Sequence, residues 1–351
     1  MNARENIIKV VLATAALTSL AAMAAETKSA PKYKIPRTEF GQPDLQGTWN
    51  NATITPMERP AQLGEKRAFT DAEVKAVEQK EQEFIVRSSA ATAASTKAED
   101  LDNLPNQCRS GSTGAACGYN AFWTDTGFGA VRIQGEARTS ILTDPPNGRT
   151  PPLTAAATKE RNERMATRQR GGAFDGPEAR SLGERCLMSF GSSAGPPMLP
   201  VMYNNNYQIV QNKDYAMILV EMVHDVRVIR INSERLPKTM NRWMGDSVGR
   251  YEGDSLIVET INMNPAQSFR GTGQQKVTEK FTRVAPDRME YEFKVEDPGL
   301  TAPYGGALNF NRTSDSVYEY ACHEGNYAMT GVLAGAREQE KEAASKAAPK
   351  K

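Results

Sequence analysis

The sequence predicts a mainly β protein: an antiparallel barrel with peripheral helices and long loops. Three observations predict it. Short apolar or alternating runs recur from Asn206 onward, at 207–210, 215–222, 225–231, 255–261, 276–284, 289–295 and 316–321. Turn signals such as Gly253-Asp254 and Pro286-Asp287 separate them. No helical pattern is interleaved, so the strands read as a curled antiparallel sheet and not as βαβ units.

The elements follow in order. Arg4 and Lys9 accompany an apolar run over 7–20, and Ala22-Met23-Ala24 is a small-residue cleavage pattern. This predicts a signal peptide over 1–24, too short for a spanning helix. The mature protein is then periplasmic or secreted, in an oxidising compartment. Residues 25–42 are polar and Pro-containing and read as a flexible arm. Residues 43–337 read as one barrel domain with a helical and loop insertion at about 70–183, and 338–351 as a charged tail. Pro43 to Trp49 is a turn feeding a first strand. Thr70-Asp71-Ala72-Glu73 is a capping box, followed by Val74, Val77, Phe84 and Ile85 at helical spacing. A short strand at 138–144 is stopped by Pro145 and Pro146. Thr154 caps a polar helix to about Gln169, and 171–183 is loop.

Composition excludes several functions. The chain has 351 residues, 43 Lys or Arg against 42 Asp or Glu, and a formal net charge of +1. Removing the signal peptide brings the mature chain closer still to neutrality. That balance, without a basic cluster, lacks the electrostatic footprint of a nucleic-acid binder. Hydrophobic residues at 39% and charged residues at 24% fit a soluble fold better than a disordered chain. No second apolar stretch is long enough to span a bilayer, so no stable membrane insertion is expected. The expected partner is a small molecule.

All 4 Cys lie beyond the signal segment, at Cys108, Cys117, Cys186 and Cys322. An even count in an exported chain favours disulfides, and four Cys allow three connectivities. The Gly/Ser-rich stretch between Cys108 and Cys117 lets their ends meet, which leaves Cys186 with Cys322. No C-x-x-C or zinc-ligand spacing occurs, so no metal is expected. The glycines match neither a phosphate loop nor a dinucleotide fingerprint, so no cofactor is implied.

The 2 His each adjoin a carboxylate: His224 with Asp225, and His323 with Glu324. An imidazole with a pKa near ~6.5 exchanges protons at ordinary pH, and a carboxylate fixes its tautomer. In a straight strand Glu221, Val223 and Asp225 share one face. A bend at Val223-His224 breaks that parity and lets Glu221, His224 and Arg227 converge. The predicted catalytic residues are His224, His323, Asp225, Glu324 and Glu221. The predicted substrate-binding residues are Trp243, Asp246, Arg227 and Tyr327. The competing reading makes both His hydrogen-bonded structural residues at strand ends. Likewise Trp243 to Leu256 reads as a hairpin turning at Gly253-Asp254, with Trp243 in the core.

Gly47-Thr48-Trp49 before the first strand resembles the G-x-W start of lipocalin-like (calycin-type) barrels, which implies a mouth where a small molecule enters. More broadly, W-x-G-D-S-x-G-x-Y-E-G-D-S-L-x-V (243–258) and Y-E-Y-A-C-H-E-G-N-Y (318–327) resemble an uncharacterised family of exported bacterial proteins. The resemblance covers most of 43–337 and implies fold and compartment, with no substrate. That family's pattern places a further His shortly before the Trp-Met-Gly-Asp-Ser segment, and here 234–238 contains none. The expected function is acid–base chemistry of lyase, isomerase, hydratase or hydrolase type on a small, partly apolar molecule. The alternatives are a non-catalytic periplasmic binding protein and an envelope structural or interaction protein.

Overall fold

The computed structural model describes residues 33–88, 124–125, 127, 129–170, 172–189, 195–267, 272 and 274–347. The signal segment, Cys108 and Cys117 lie outside the described residues. From Ile35 onward the chain forms one compact unit.

The strands are β1 (Gly47–Asn50), β2 (Arg132–Ile133), β3 (Glu136–Ala137), β4 (Leu142–Asp144), β5 (Asn206–Gln211) and β6 (Tyr215–Val220). Then come β7 (Val226–Ile231), β8 (Asp246–Glu252), β9 (Ser255–Ile261), β10 (Lys276–Ala285), β11 (Arg288–Glu296) and β12 (Tyr304–Arg312). Among the described residues, nine strands close a barrel in the order β1-β5-β6-β7-β8-β9-β10-β11-β12, and β12 returns to β1 through Trp49↔Arg312. β4 pairs with β12 outside that circuit.

The barrel is mixed, which corrects the all-antiparallel expectation. β7 and β8 run parallel in the register Ile229↔Ser247. The physical reason is the connection between them, residues 232–245. Parallel neighbours need a crossover of about a dozen residues, and this one carries the chain back to its starting end.

Alternation decides what fills the barrel. On β10, Val277, Glu279, Phe281 and Arg283 are buried, and on β11 Met289, Tyr291, Phe293 and Val295. Their rings interlock: Phe281 and Tyr291 lie 4.9 Å apart, Tyr291 and Phe310 5.5 Å, Tyr207 and Phe310 5.1 Å. Each such buried side chain contributes about 1.5–3 kcal/mol relative to exposure. This part of the interior is a packed core of large side chains.

Two strand expectations change. Residues 316–321 form no strand, and β12 takes the place in the sheet. Gly305 and Gly306 weaken the β signal there. Gly306 is needed for close approach: a Cβ there would lie 2.3 Å from the Ile141 carbonyl oxygen, where β4 crosses β12. The hairpin at Gly253 forms as expected, with φ +59 at that glycine. Trp243, however, is half-buried in the turn that precedes β8 and not in the core.

Of the described residues in the arm expected over 25–42, Ile35 is buried while Pro36, Arg37 and 39–41 are exposed, and the firmly packed segment begins at Pro43. Ile35 is 5% exposed and Leu45 1%. The Leu45 amide donates to Gln211 Oε1 at 2.7 Å, and Arg283 Nη1 donates to the Asp44 carbonyl at 3.1 Å. Trp49 Nε1 donates to the Leu45 carbonyl at 3.0 Å. The guanidinium groups of Arg283 and Arg312 lie 5.6 and 5.9 Å from the Trp49 ring centre. Ile35 within the arm and Leu45 beyond it are the apolar anchors of this segment.

The helices are α1 (Asp71–Ser88), α2 (Ala155–Gln169) and α3 (Tyr327–Ala347). Thr154 caps α2 as expected, accepting from the Ala157 amide at 3.3 Å. The capping box of α1 is formed: the Thr70 amide donates to Glu73 Oε2 at 2.8 Å, and the Glu73 amide to Thr70 Oγ1 at 3.3 Å. A hydrogen bond from Lys66, then those from Thr70, lower the Glu73 pKa to about 2. The folded carboxyl therefore binds its proton less tightly than the unfolded one. Its contribution is present above the unfolded pKa and disappears as pH falls through about 2. The expected result is an NMR titration of Glu73 with its midpoint near 2, coincident with fraying of the α1 N-terminus. A midpoint at the ordinary glutamate value would show that the box is not formed. No described helix is long and apolar enough to cross a membrane.

Candidate functional site

The two His-containing clusters meet the rest of the structure differently. β6 ends at Val220, and the chain bends through the short turn Met222–His224. Val223 is 2% exposed with φ +63, a left-handed conformation that is costly for a β-branched residue. Residues packed on both sides hold it. The Glu221 amide donates to the Asn206 carbonyl at 3.0 Å, and the Val220 amide to the Asp225 carbonyl at 2.9 Å. The bend that would break strand parity is therefore present.

It does not bring Glu221 and Arg227 together. Glu221, 4% exposed, accepts from the Asn206 amide at 3.4 Å and the Tyr318 amide at 3.3 Å. It ties the segment after β12 to the barrel end. Its charge also adds to the effect of burial in pushing the Tyr207 hydroxyl pKa up. Arg227 points into the barrel instead. The His224 side chain lies outside the described part of the structure.

Inside the barrel, Arg227 forms a bidentate ion pair with Glu279, its Nη1 donating to Oε1 at 2.8 Å and its Nη2 to Oε2. The two side chains are 1% and 0% exposed. Arg227 Nη2 also donates to Thr260 Oγ1 at 3.1 Å and Ser247 Oγ at 3.4 Å. The Tyr291 hydroxyl donates to Glu279 Oε1 at 2.7 Å and accepts from the Met198 amide at 2.8 Å. Burial pulls the Arg227 pKa down, but the Glu279 carboxylate more than offsets it, so the net direction is up. Burial, then the Glu279 charge, holds the Tyr291 hydroxyl well above its ordinary value. This network sits among core aromatics. Its geometry suits holding five strands, β7 to β11, and the 198 segment in register.

Asp246 and Trp243 have separate surroundings. Asp246, 2% exposed, accepts from Arg230 Nη2 at 2.6 Å and from the Leu236 amide at 3.0 Å. It clamps the crossover between β7 and β8 onto the barrel.

The second cluster lies beside a disulfide. Cys186 and Cys322 are bonded across 136 residues. His323 is not at a strand end: residues 322–325 form a turn that leads into α3, and His323, Glu324 and Tyr327 are all exposed. Asn326 locks the turn, its Nδ2 donating to the Glu184 carbonyl at 2.8 Å and its amide to the His323 carbonyl at 3.2 Å. On the other side of the bridge, Ser181 and Glu184 make a reciprocal box. The Ser181 amide donates to Glu184 Oε2 at 3.0 Å, and the Glu184 amide to Ser181 Oγ at 3.3 Å. Burial raises the Glu184 pKa, but hydrogen bonds from Arg180 and Ser181 outweigh it and the net direction is down.

Between these two walls runs a groove of about 500 Å³. Arg180, Glu184 and Tyr320 supply polar groups, while the bridge at Cys322, Met329 and Val332 supply apolar surface. A carboxylate–guanidinium pair at one side and an apolar floor at the other suit a molecule that is itself partly apolar. Among the described residues, no three His, Cys, Asp or Glu side chains converge as metal ligands do.

Sequence reasoning thus selected one groove wall, the 318–327 motif, and missed the other. The missing signal was Ser181-Leu182-Gly183-Glu184, an S-x-x-E box inside a segment read as loop. Glu279 was also missed, although it alternates with Val277 and Phe281 on a buried face. No protein-family model, curated protein or solved structure matches this chain.

Proposed function

We propose that the protein is exported and binds a small, partly apolar molecule in the groove beside the Cys186–Cys322 bridge. One observation carries the reading: the 318–327 motif and the 180–186 segment form the two walls, and the bridge joins them. A disulfide of this kind persists in oxidising compartments, which agrees with the A-x-A segment near Ala24. The packed aromatics of the barrel interior favour a site at its flank. Val332→Trp fills the groove from α3, at a position already 39% exposed. Native mass spectrometry of protein exported by a bacterial host is expected to detect a co-purifying small molecule on the parent chain and at least tenfold less on Val332→Trp. Equal occupancy of both would sink the groove as the site.

A catalytic form of the reading is favoured by the mounting of His323. Its backbone is held by the bridge at Cys322 and by Asn326, a rigid support of the kind acid–base groups need. Neither His323 nor Glu324 lines the cavity, so in this form the bound molecule reaches past Cys322 to the exposed imidazole and exchanges a proton with it there. His323→Ala is then expected to leave ligand occupancy intact and lower its turnover about 100-fold or more, the usual scale for a general base. Turnover unchanged by that substitution leaves a binding protein.

A further inference from the structure

A second, chemically different cleft lies on the outer wall of the barrel. Its volume is about 470 Å³, within the ~300–1,000 Å³ range of small-molecule sites. Strand register builds it. Arg288 of β11 is opposite Asn311 of β12, Asn311 is opposite Asn50 of β1, and Asn50 is opposite Asn206 of β5. Four polar side chains thus form one row across four adjacent strands.

Part of this wall is fixed by internal hydrogen bonds. Asn50 Nδ2 donates to Asp125 Oδ2 at 2.8 Å and to Asn206 Oδ1 at 2.9 Å. Asn309 accepts from the Arg132 amide at 2.7 Å and donates to the Arg132 carbonyl at 3.0 Å. The Arg132 guanidinium is paired with Glu78 at 3.2 Å. Of the other lining side chains, the Arg312 guanidinium lies over the Trp49 ring, and Arg288, Asn311 and Asp315 have no hydrogen-bond or ion-pair partner among the described residues. The cleft therefore combines a rigid amide floor with an uncommitted guanidinium, amide and carboxylate.

That combination narrows the ligand by chemistry. A free carboxylate at the rim opposes an anion, and a free guanidinium opposes a cation. The lining carries no aromatic or large aliphatic residue except Val131, so an apolar ligand gains little. A ligand whose every group both donates and accepts hydrogen bonds satisfies all three free side chains at once. We infer that this cleft binds a neutral, hydroxyl-rich saccharide, with Arg288 and Asn311 donating to its hydroxyl oxygens and Asp315 accepting from its hydroxyl hydrogens.

The test is calorimetric titration of the full exported chain with maltotriose, cellotriose and chitotriose, and with inorganic phosphate and spermidine as charged controls. Saturable binding of at least one trisaccharide is expected. Arg288→Ala with Asn311→Ala should weaken it at least tenfold while the thermal midpoint stays within about a degree of the parent. Asp315→Ala should weaken it separately, and Val332→Trp in the bridge groove should leave it unchanged. Absence of binding by all three saccharides overturns the inference, as does saccharide affinity that the double substitution leaves intact. Tighter binding of phosphate or spermidine than of any saccharide also overturns it, because the cleft is then an ion site. The bridge-groove reading stands or falls independently on the Val332 variant.

Discussion

Glu279→Ala is expected to cost the fold about 3–5 kcal/mol, the scale for stranding one member of a buried ion pair. The cause is the loss of the carboxylate that, among the described residues, alone pairs with the Arg227 guanidinium, which is 1% exposed. Ser247 and Thr260 offer only neutral oxygens to Nη2. The Tyr291 hydroxyl loses its acceptor as well. Against a typical stability of about 5–15 kcal/mol, such a loss leaves little or no folded protein at elevated temperature. Glu279→Gln should fall between parent and Ala, since it keeps shape and loses charge. The double variant Arg227→Met with Glu279→Leu should recover most of the loss, because apolar replacement of a whole buried pair is often neutral or stabilising by about 1–4 kcal/mol. Urea denaturation of the four chains checks this. A Glu279→Ala cost below about 1 kcal/mol, or a double variant no better than the single, would refute a buried structural pair.

Cys186→Ser with Cys322→Ser is the second large effect. The bridge closes a loop of 136 residues. Chain-entropy reasoning puts the loss near about 5 kcal/mol, and observed losses for native bridges span about 2–5 kcal/mol. The residues that depend on it are those around the groove, since Asn326 and Glu184 meet only where the two walls touch. The barrel has its own closed hydrogen-bond circuit. Reduction is therefore expected to raise amide exchange most in 181–188 and 318–333, with the core strands β9, β10 and β11 losing only the global share of a few kcal/mol and remaining the best-protected part. Loss of protection no greater around the groove than in the barrel core would show that the bridge does not hold the groove locally.

Much of the fold was legible from local chemistry. The Thr70–Glu73 box, the Thr154 cap and the Gly253 hairpin each depend on residues within a few positions of one another. Strands β5 to β7 and β9 to β11 were legible because alternation is a local pattern tied to burial. The Cys186–Cys322 pairing followed from spacing elsewhere in the chain. What stayed hidden depends on where the chain travels. The parallel β7–β8 contact is set by the path of residues 232–245. β12 was masked by two glycines whose value is the space they leave for β4. Arg227 was read as a substrate-binding residue converging with Glu221 and His224, because the partner that makes its burial tolerable, Glu279, lies 52 residues away. The groove was half legible, because its walls come from distant segments joined by the bridge.

The central claim is that a ligand sits outside the barrel, against the bridge. A crystal structure of the protein, purified without denaturation together with any co-purified molecule, tests it most directly. The account predicts ligand density between Glu184 and Val332, in contact with the Cys186–Cys322 bridge. Density inside the barrel, displacing Tyr291 from Glu279, would contradict it.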